Sequence, residues 1–410
     1  MNDLQWTRQR CEALDAADPL GFARERFFVP EGLIYLDGNS LGCLPRAVPA
    51  RLAHVAEQEW GTALVRGWDQ WITIPDEVGD RLAPFLGAGP GEVVVIDTVT
   101  IALVKLLGAA LSLRPDRPVI LTTEVNFPTD LYAADGFARL VGAEVRQVRP
   151  EQVVSSLDDS VGVLMLTHVD FRSGEMFDLA AVTAAAHAAG ALTVWDFCHS
   201  VGAVPLDCEA AGVDFAVGCT YKYLNAGPGA PAFIYVRRSW QEQVENPLPG
   251  WLGHADPFEF TPAYRPAPGV RRFVTSSPSI LGINALDAAL DAWQDVSMSA
   301  VRAKSIQLSE MFVAALSERL HGEFELASPS QPERRGSQIA LRHGDAYAIM
   351  QALIARGVVG DFRAPDVCRF GFTPLYLRFA DVFGAVEHIA EVVESKEYAE
   401  ARFSERRAVT

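Results

Sequence analysis

A chain of 410 residues, 49% hydrophobic and 21% charged, is long enough for two domains around sizeable cores. Its formal net charge of −17 repels phosphate backbones and anionic lipid, so nucleic acid and membrane surfaces are not expected partners. The N-terminal stretch shows no basic segment followed by an apolar one, which argues against a secretory signal. Six scattered cysteines, with no CxxC and no zinc-ligand spacing, read as reduced thiols, mostly core, of a cytoplasmic protein without a metal site.

In chain order, the pattern predicts a strand at Val93–Ile96 and a helix at Thr100–Leu113. A strand at Pro118–Thr122 and a helix at Thr129–Gly142 follow, then strands at Glu144–Val148 and Val161–Thr167. Asp178–Gly190 is expected as a helix with Asp at its start and Gly at its end. The weakly polar run Leu179–Trp195 therefore reads as a surface helix and a buried strand, not a membrane span. Further strands are expected at Leu192–Asp196, Phe215–Cys219 and Ala232–Val236. Strands apolar throughout and separated by helices predict an α/β fold with a mainly parallel sheet covered on both faces, and ligands at the carboxyl ends of its strands. From Trp251 to Ser279, Pro, Gly and aromatic residues dominate, marking a long functional loop. Helices at Ile280–Trp293 and Val301–Leu320 come next. A strand at Gln338–Leu341, a helix at Ala346–Arg356, short strands near Val358 and Arg369 and a last helix from Val382 complete a small α/β domain of about 130 residues.

Four segments carry residues suited to chemistry. Lys222 follows an apolar strand, sits between Tyr221 and Tyr223, and precedes a Gly/Pro turn. A lysine destined for an imine needs desolvation and a rigid loop, although a surface lysine at a strand end has the same spacing. Asp196 ends a strand and His199 follows three residues later. Taken singly, these are equally a helix cap and a satisfied buried histidine. Phe127 and Asp130 lie at a strand-to-helix turn, where an aromatic ring can stack on a cofactor and where Pro128 alone would mark an ordinary helix start. Val99 and Thr100 open a helix after a strand, either as an anion site or as a plain cap. One cofactor uses all four features: pyridoxal 5′-phosphate (PLP). It needs a lysine, a carboxylate against its ring nitrogen, a stacked aromatic and a phosphate cradle.

Together with GNSLG (residues 38–42), GWLGH (250–254) and RFGFTPLY (369–376), the segments FPTD (127–130) and TYKYLN (220–225) form an ordered set along nearly the whole chain. It resembles bacterial kynureninases. That resemblance implies a fold-type I PLP-dependent enzyme related to class V aminotransferases. It implies an N-terminal segment (1–50) packing with the small domain, a large PLP-binding domain (51–275) and a small C-terminal domain (276–410). It implies a homodimer with a shared active site that hydrolyses L-kynurenine, and 3-hydroxykynurenine, to anthranilate and L-alanine in tryptophan catabolism.

Carried over, Lys222 would hold PLP and act as the base, Asp196 would pair with the ring nitrogen, and Phe127 would stack on the ring. Val99, Thr100 and Tyr221 would contact the phosphate, with Tyr221 also relaying a proton. Asp130, Thr167 and His199 would surround the ring. Trp251 and Ser277 would reach the phosphate of the other subunit. Arg369 would clamp the substrate carboxylate as a bidentate fork, with Asn39 and Trp68 also at the substrate. Ser277 stands where many members have Asn or Thr, and Trp68 where animal enzymes carry a histidine, which is expected to favour the unhydroxylated ring. Two alternatives remain. A cysteine desulfurase or selenocysteine lyase needs a cysteine on a mobile loop, whereas Cys368 directly precedes an apolar strand pattern. A non-catalytic PLP-binding protein has little need of Lys222, Asp196, His199 and Arg369 together.

Overall fold

Val161–Thr167 is buried at every position, as are Val93–Val95, Val119–Thr123, Leu192–Asp196, Phe215–Gly218 and Phe233–Val236. Side chains alternate across a strand, so such burial requires cover on both faces. The computed structural model describes residues 5–406. Residues 1–4 and 407–410, the ends of the expected N-terminal segment and small domain, lie outside the described residues.

Counting Ile34–Tyr35 as β1, the central sheet comprises β2 (Val93–Val95), β3 (Val119–Thr123), β4 (Glu144–Val148), β5 (Val161–Thr167), β6 (Leu192–Asp196), β7 (Phe215–Gly218) and β8 (Phe233–Val236). Their order is β2-β8-β7-β6-β5-β3-β4. The pairs from β7 to β4 are parallel, while β8 runs antiparallel to both its neighbours. On one face, helices Val99–Ser112 and Pro128–Val141 pack on Ile120, Val163, Val194 and Val217. On the other, helix Leu179–Ala188 joins Leu121, Leu164, Leu166 and Trp195 in the core shared with the C-terminal helices. The parallel strands thus all deliver their carboxyl ends to one rim.

The C-terminal sheet has the order β12-β13-β10-β9 and is antiparallel, from β9 (Glu325–Leu326), β10 (Gln338–Arg342), β12 (Asp361–Arg363) and β13 (Val367–Gly371). Between them β11 (Val358–Val359) pairs in parallel with β1, which ties the N-terminal segment to this part of the chain. Helix Ile280–Leu290 packs instead against Ala47–His54 and Ile74–Leu82.

Helix boundaries depart from the periodicity where a distant or flanking group caps them. The long helix begins at Met298, not Val301, because Ser297 Oγ accepts from Ala300 N–H at 3.2 Å. The last helix begins at Phe379, not Val382. Asp15, far away in sequence, accepts from Phe379 N–H at 2.6 Å and Ala380 N–H at 3.0 Å. Strands β1, β9 and β12 were not expected.

Asp214, buried just before β7, fastens four elements. It accepts from Thr193 N–H (2.9 Å) on β6, Trp240 Nε1 (2.8 Å) and Thr193 Oγ1 (3.1 Å), and lies 2.8 Å from His187 Nε2. Burial alone would raise its carboxyl, but the bonds from His187, Thr193 and Trp240 outweigh it and hold the group below the usual carboxylate range. A depressed folded-state value contributes stability above the unfolded value and loses it as pH falls through the folded one. Asp214→Ala should cost about 3–5 kcal/mol at neutral pH. In denaturant titrations the gap between the two proteins should narrow as pH falls below about 4.

Candidate active site

A cavity of about 300 Å³ opens at the carboxyl ends of β5, β6 and β7. Thr167 is the last residue of β5 and Asp196 the last of β6, so parallel register alone sets them side by side. Tyr221 and Lys222 come from the loop after β7, Val99 and Thr100 from the first turn of helix Val99–Ser112, and Phe127 and Asp130 from the start of helix Pro128–Val141. With His199 from the turn after β6, nine residues singled out in the sequence line this one cavity.

Lys222 Nζ lies 2.8 Å from His199 Nε2. Burial, then the charges of Lys222 and Arg369, push His199 far below the usual histidine range, so its ring is neutral and Nε2 accepts from the lysine. Below them Asp130 and Asp196 form a buried pair linked through Thr167, whose hydroxyl lies 3.3 Å from Asp130 and 3.5 Å from Asp196. Burial and the adjacent Asp196 carboxylate push Asp130 well above the usual carboxylate range, so Asp130 carries the proton of the pair. Asn126, at the head of the segment that carries Phe127 and Asp130 but with no role expected from the sequence, orders this floor: its Oδ1 accepts from Thr167 Oγ1 and from Phe127 N–H at 2.7 Å.

The lysine loop is held from below and from the side. Asn225 adopts φ +61° and closes a turn back to Lys222 O at 3.0 Å. Gly42 N–H donates to Tyr221 O at 2.8 Å, and a Cβ at Gly42 would stand 2.3 Å from Lys222 O. Only glycine permits that approach, which gives GNSLG a physical reason. At the helix Val99–Ser112, Thr98 Oγ1 caps Ile101 N–H, and the N–H groups of Val99 and Thr100 have no intrahelical acceptor. Fully buried Lys105 donates to Asp97, which adopts φ +56°, and to Phe273 O at 2.6 Å, fixing the turn that starts this helix.

Other expected residues stand apart from the cavity. Arg369 is 1% exposed. Its Nε donates to Asp361 Oδ1 at 2.8 Å, Nη2 to Asp361 Oδ2 and to Ser40 Oγ (3.0 Å), and Nη1 to Phe171 O. With its amide oriented to satisfy that group, Asn39 also accepts from Arg369 Nε at 2.9 Å. Asp361 belongs to the unpredicted β12; a carboxylate eight residues before Arg369 was the available signal. Trp251 packs edge-on against Trp68 (5.9 Å between ring centres) and Phe258 (5.8 Å), and Ser277 is exposed. Cys368 is fully buried in β13, its thiol donating to Ala346 O.

A primary amine, a buried carboxylate, an open helix N-terminus and a partly exposed aromatic ring around one cavity are the donor set that PLP requires. The residues present fit it. Asp130, as a buried acid whose folded-state value is raised, makes the cofactor-free protein less stable as pH climbs from the unfolded value of about 4. Asp130→Asn should flatten that decline, read as thermal midpoint against pH without cofactor; an identical slope in both proteins would place the proton elsewhere.

Comparison with known proteins supplies the family. Residues 301–389 match the family model of the kynureninase C-terminal domain. A kynureninase of Deinococcus radiodurans is 51% identical over 94% of this chain and 96% of that relative. One of Burkholderia pseudomallei is 46% identical over 98% of this chain and 100% of that relative. Solved structures at 18% identity share the fold: a cysteine desulfurase of Thermococcus onnurineus (TM-score 0.77, 92% of this chain and 98% of that one) and a C-DES variant with glycine covalently linked to its PLP cofactor (TM-score 0.78, 90% and 99%). With that identity running the length of both chains, the protein belongs to the kynureninase family.

Proposed function

We propose that this chain holds PLP on Lys222 and hydrolyses L-kynurenine to anthranilate and L-alanine, cleaving the Cβ–Cγ bond. The observation that carries the reading is the contact of Lys222 with a neutral His199, above the Asp130–Asp196 pair, in a chain of the kynureninase family. PLP, when bound, supplies an electron sink that stabilises negative charge at the substrate Cα and so opens the way to cleavage at Cβ.

The chain's own residues do the rest. Asp196 would face the ring nitrogen, and Asp130, holding the proton of the pair, would spare it a second negative charge. Phe127 would stack on the ring, Thr167 and His199 would lie around it, and the N–H groups of Val99 and Thr100 would take the phosphate. Lys222 removes the proton from Cα, with Nε2 of neutral His199 within reach as its acceptor. Tyr221 stays a phenol, because the neighbouring Cys219 and burial raise it, and so it can donate a proton to the departing carbon. Arg369 meets the substrate carboxylate, with Asn39 beside it. We further read residues 51–275 as the cofactor domain and 276–410, with 1–50 against it, as the small domain. The protein works as a cytoplasmic homodimer in tryptophan catabolism, with Trp251 and Ser277 reaching the partner's phosphate. Their position outside this chain's cavity, and the exposure of Phe258 (58%) and Phe260 (77%) beside Trp251, support that arrangement. The burial of Cys368 removes the support for desulfuration, which needs a mobile sulfur acceptor.

Purified protein with PLP should release anthranilate from L-kynurenine, followed by its fluorescence, and no sulfide from cysteine. Lys222→Arg should abolish turnover and the visible absorbance of the bound cofactor; an unchanged band would refute the assignment. If Trp68 lies at the substrate ring, its indole would leave less room for a ring hydroxyl, so kcat/KM should favour kynurenine over 3-hydroxykynurenine by about tenfold or more. Comparable values would overturn that role.

A further inference from the structure

We propose that Cys198 and Cys219 are a redox dithiol in the wall of the cofactor cavity, which a peroxide converts to a disulfide when PLP is absent. The two strands that carry them run in parallel, with Val194 opposite Phe215 and Asp196 opposite Val217. Cys198 lies in the turn that follows β6 and Cys219 directly follows β7, so both leave the same edge of the sheet from neighbouring strands. Neighbouring strands lie about 4.8 Å apart, within the Cα separation of about 4.4–6.8 Å that a disulfide spans. The contact is direct: Cys219 N–H donates to Cys198 Sγ at 3.2 Å, and Cys219 Sγ–H faces Cys198 O at 3.8 Å. Both are free, and both line the cavity of about 300 Å³, which admits an oxidant the size of hydrogen peroxide.

The pair is also polarised. Burial alone would raise the Cys219 thiol, but the hydrogen bond with Cys198 and the charge of Lys222 outweigh it and hold it below the usual thiol range. Burial and the same contact raise Cys198. Cys219 is therefore the nucleophile and Cys198 the resolving thiol. The Cys219 thiolate attacks one oxygen of hydrogen peroxide; the S–O bond forms, the O–O bond breaks, and hydroxide leaves to take up a proton as water. The Cys198 sulfur then attacks the sulfenic acid; the S–S bond forms, the S–O bond breaks, and water departs with the Cys198 proton. Overall, two thiols and one peroxide give one disulfide and two waters.

The consequence for the cofactor rests on the PLP reading above; the cross-link itself does not. Cys198 N–H donates to Asp196 Oδ1 at 2.6 Å, and Lys222 lies three residues past Cys219. A bond between the sulfurs therefore draws on both Asp196 and the lysine loop, while PLP held in this cavity would shield the thiols that line it.

The test treats holoenzyme and PLP-free enzyme with hydrogen peroxide, alkylates the remaining thiols and maps the peptides by mass. The PLP-free protein should yield a Cys198–Cys219 cross-link that dithiothreitol reverses, and the holoenzyme should yield it more slowly. PLP titration followed by tryptophan fluorescence should show binding weakened at least about tenfold in the oxidised form and restored by dithiothreitol. Cys198→Ser and Cys219→Ser should each lack the cross-link and the dithiothreitol-reversible loss of PLP binding. Over-oxidation of Cys219 without a cross-link, equal rates with and without PLP, or a cross-link with unchanged PLP affinity would overturn the proposal. If the reduced protein bound no PLP yet still cross-linked, the cofactor reading would fail and the dithiol would stand.

Discussion

Two buried carboxyl groups at the floor of one cavity, with one proton between them, set the conditions for everything around them. Like charges at about 4 Å and an intermediate effective dielectric repel by about 4 kcal/mol, and burial adds a desolvation cost for each. The protein avoids the repulsion and one of the two desolvation costs by keeping Asp130 protonated beside Asp196. Thr167 bridges the pair, and Asn126 holds Thr167 and the Phe127 backbone in turn. The neutral His199 ring follows the same logic from the opposite sign: a buried imidazolium next to Lys222 and near Arg369 would be a third cation in a small volume. Charge in the cavity is therefore limited to a few groups with assigned places, and a cofactor that carries its own charges meets a field already fixed.

That field is held in place by backbone rather than by long side chains. Parallel register puts Thr167 beside Asp196 without any loop having to choose the distance. The lysine loop has no such register, and the structure supplies it from outside: Gly42 lies against the Lys222 carbonyl, and Asn225 closes the turn beyond it and donates to Cys43 O. A segment near the N-terminus thus buttresses a lysine nearly two hundred residues later, and the same segment carries β1 to its pairing with β11.

What could be read from the sequence follows the range of the forces involved. The central strands were legible because burial on both faces writes an uninterrupted apolar run, and their helices because Asp178 and Gly142 mark ends locally. Lys222, Asp196, Phe127 and Thr100 were legible as positions at strand ends, and the ordered motifs supplied their partners. Strands of two or three residues, such as β1, β9 and β12, leave no periodicity to read; they exist because a neighbour is there to pair with. The start of the last helix depended on Asp15, and the seat of Arg369 on Asp361, both set by tertiary contact. In the sequence Lys105 is a lone charged residue in an apolar helix. Only the fold reveals that it neutralises Asp97 at the turn where the helix N-terminus opens to the cavity.

Arg369 shows how these constraints meet. A guanidinium has five N–H groups. Here the Nε hydrogen is shared by Asp361 and Asn39, one Nη2 hydrogen goes to Asp361, the other Nη2 hydrogen to Ser40, and one Nη1 hydrogen to Phe171 O, leaving one on Nη1. A carboxylate that engages Arg369 side-on needs two parallel N–H groups, so it must displace a standing acceptor. Asp361 is the costly one to lose, because it lies buried beside Asp37, whose carboxyl burial and Asp361 already push up to about 7, and would keep only Arg363 as an ion-pair partner. Ser40 and the Phe171 carbonyl are neutral and cheaper to give up. Ser40 belongs to the same short segment as Asn39 and Gly42, and Phe171 packs edge-on against Phe127. Whichever acceptor yields, the movement is passed either to the segment that buttresses Lys222 or to the ring that flanks the cavity. If Arg369 takes a ligand carboxylate as proposed, that binding would be mechanically joined to the lysine and to the aromatic wall, and a ligand without a carboxylate would leave the linkage at rest.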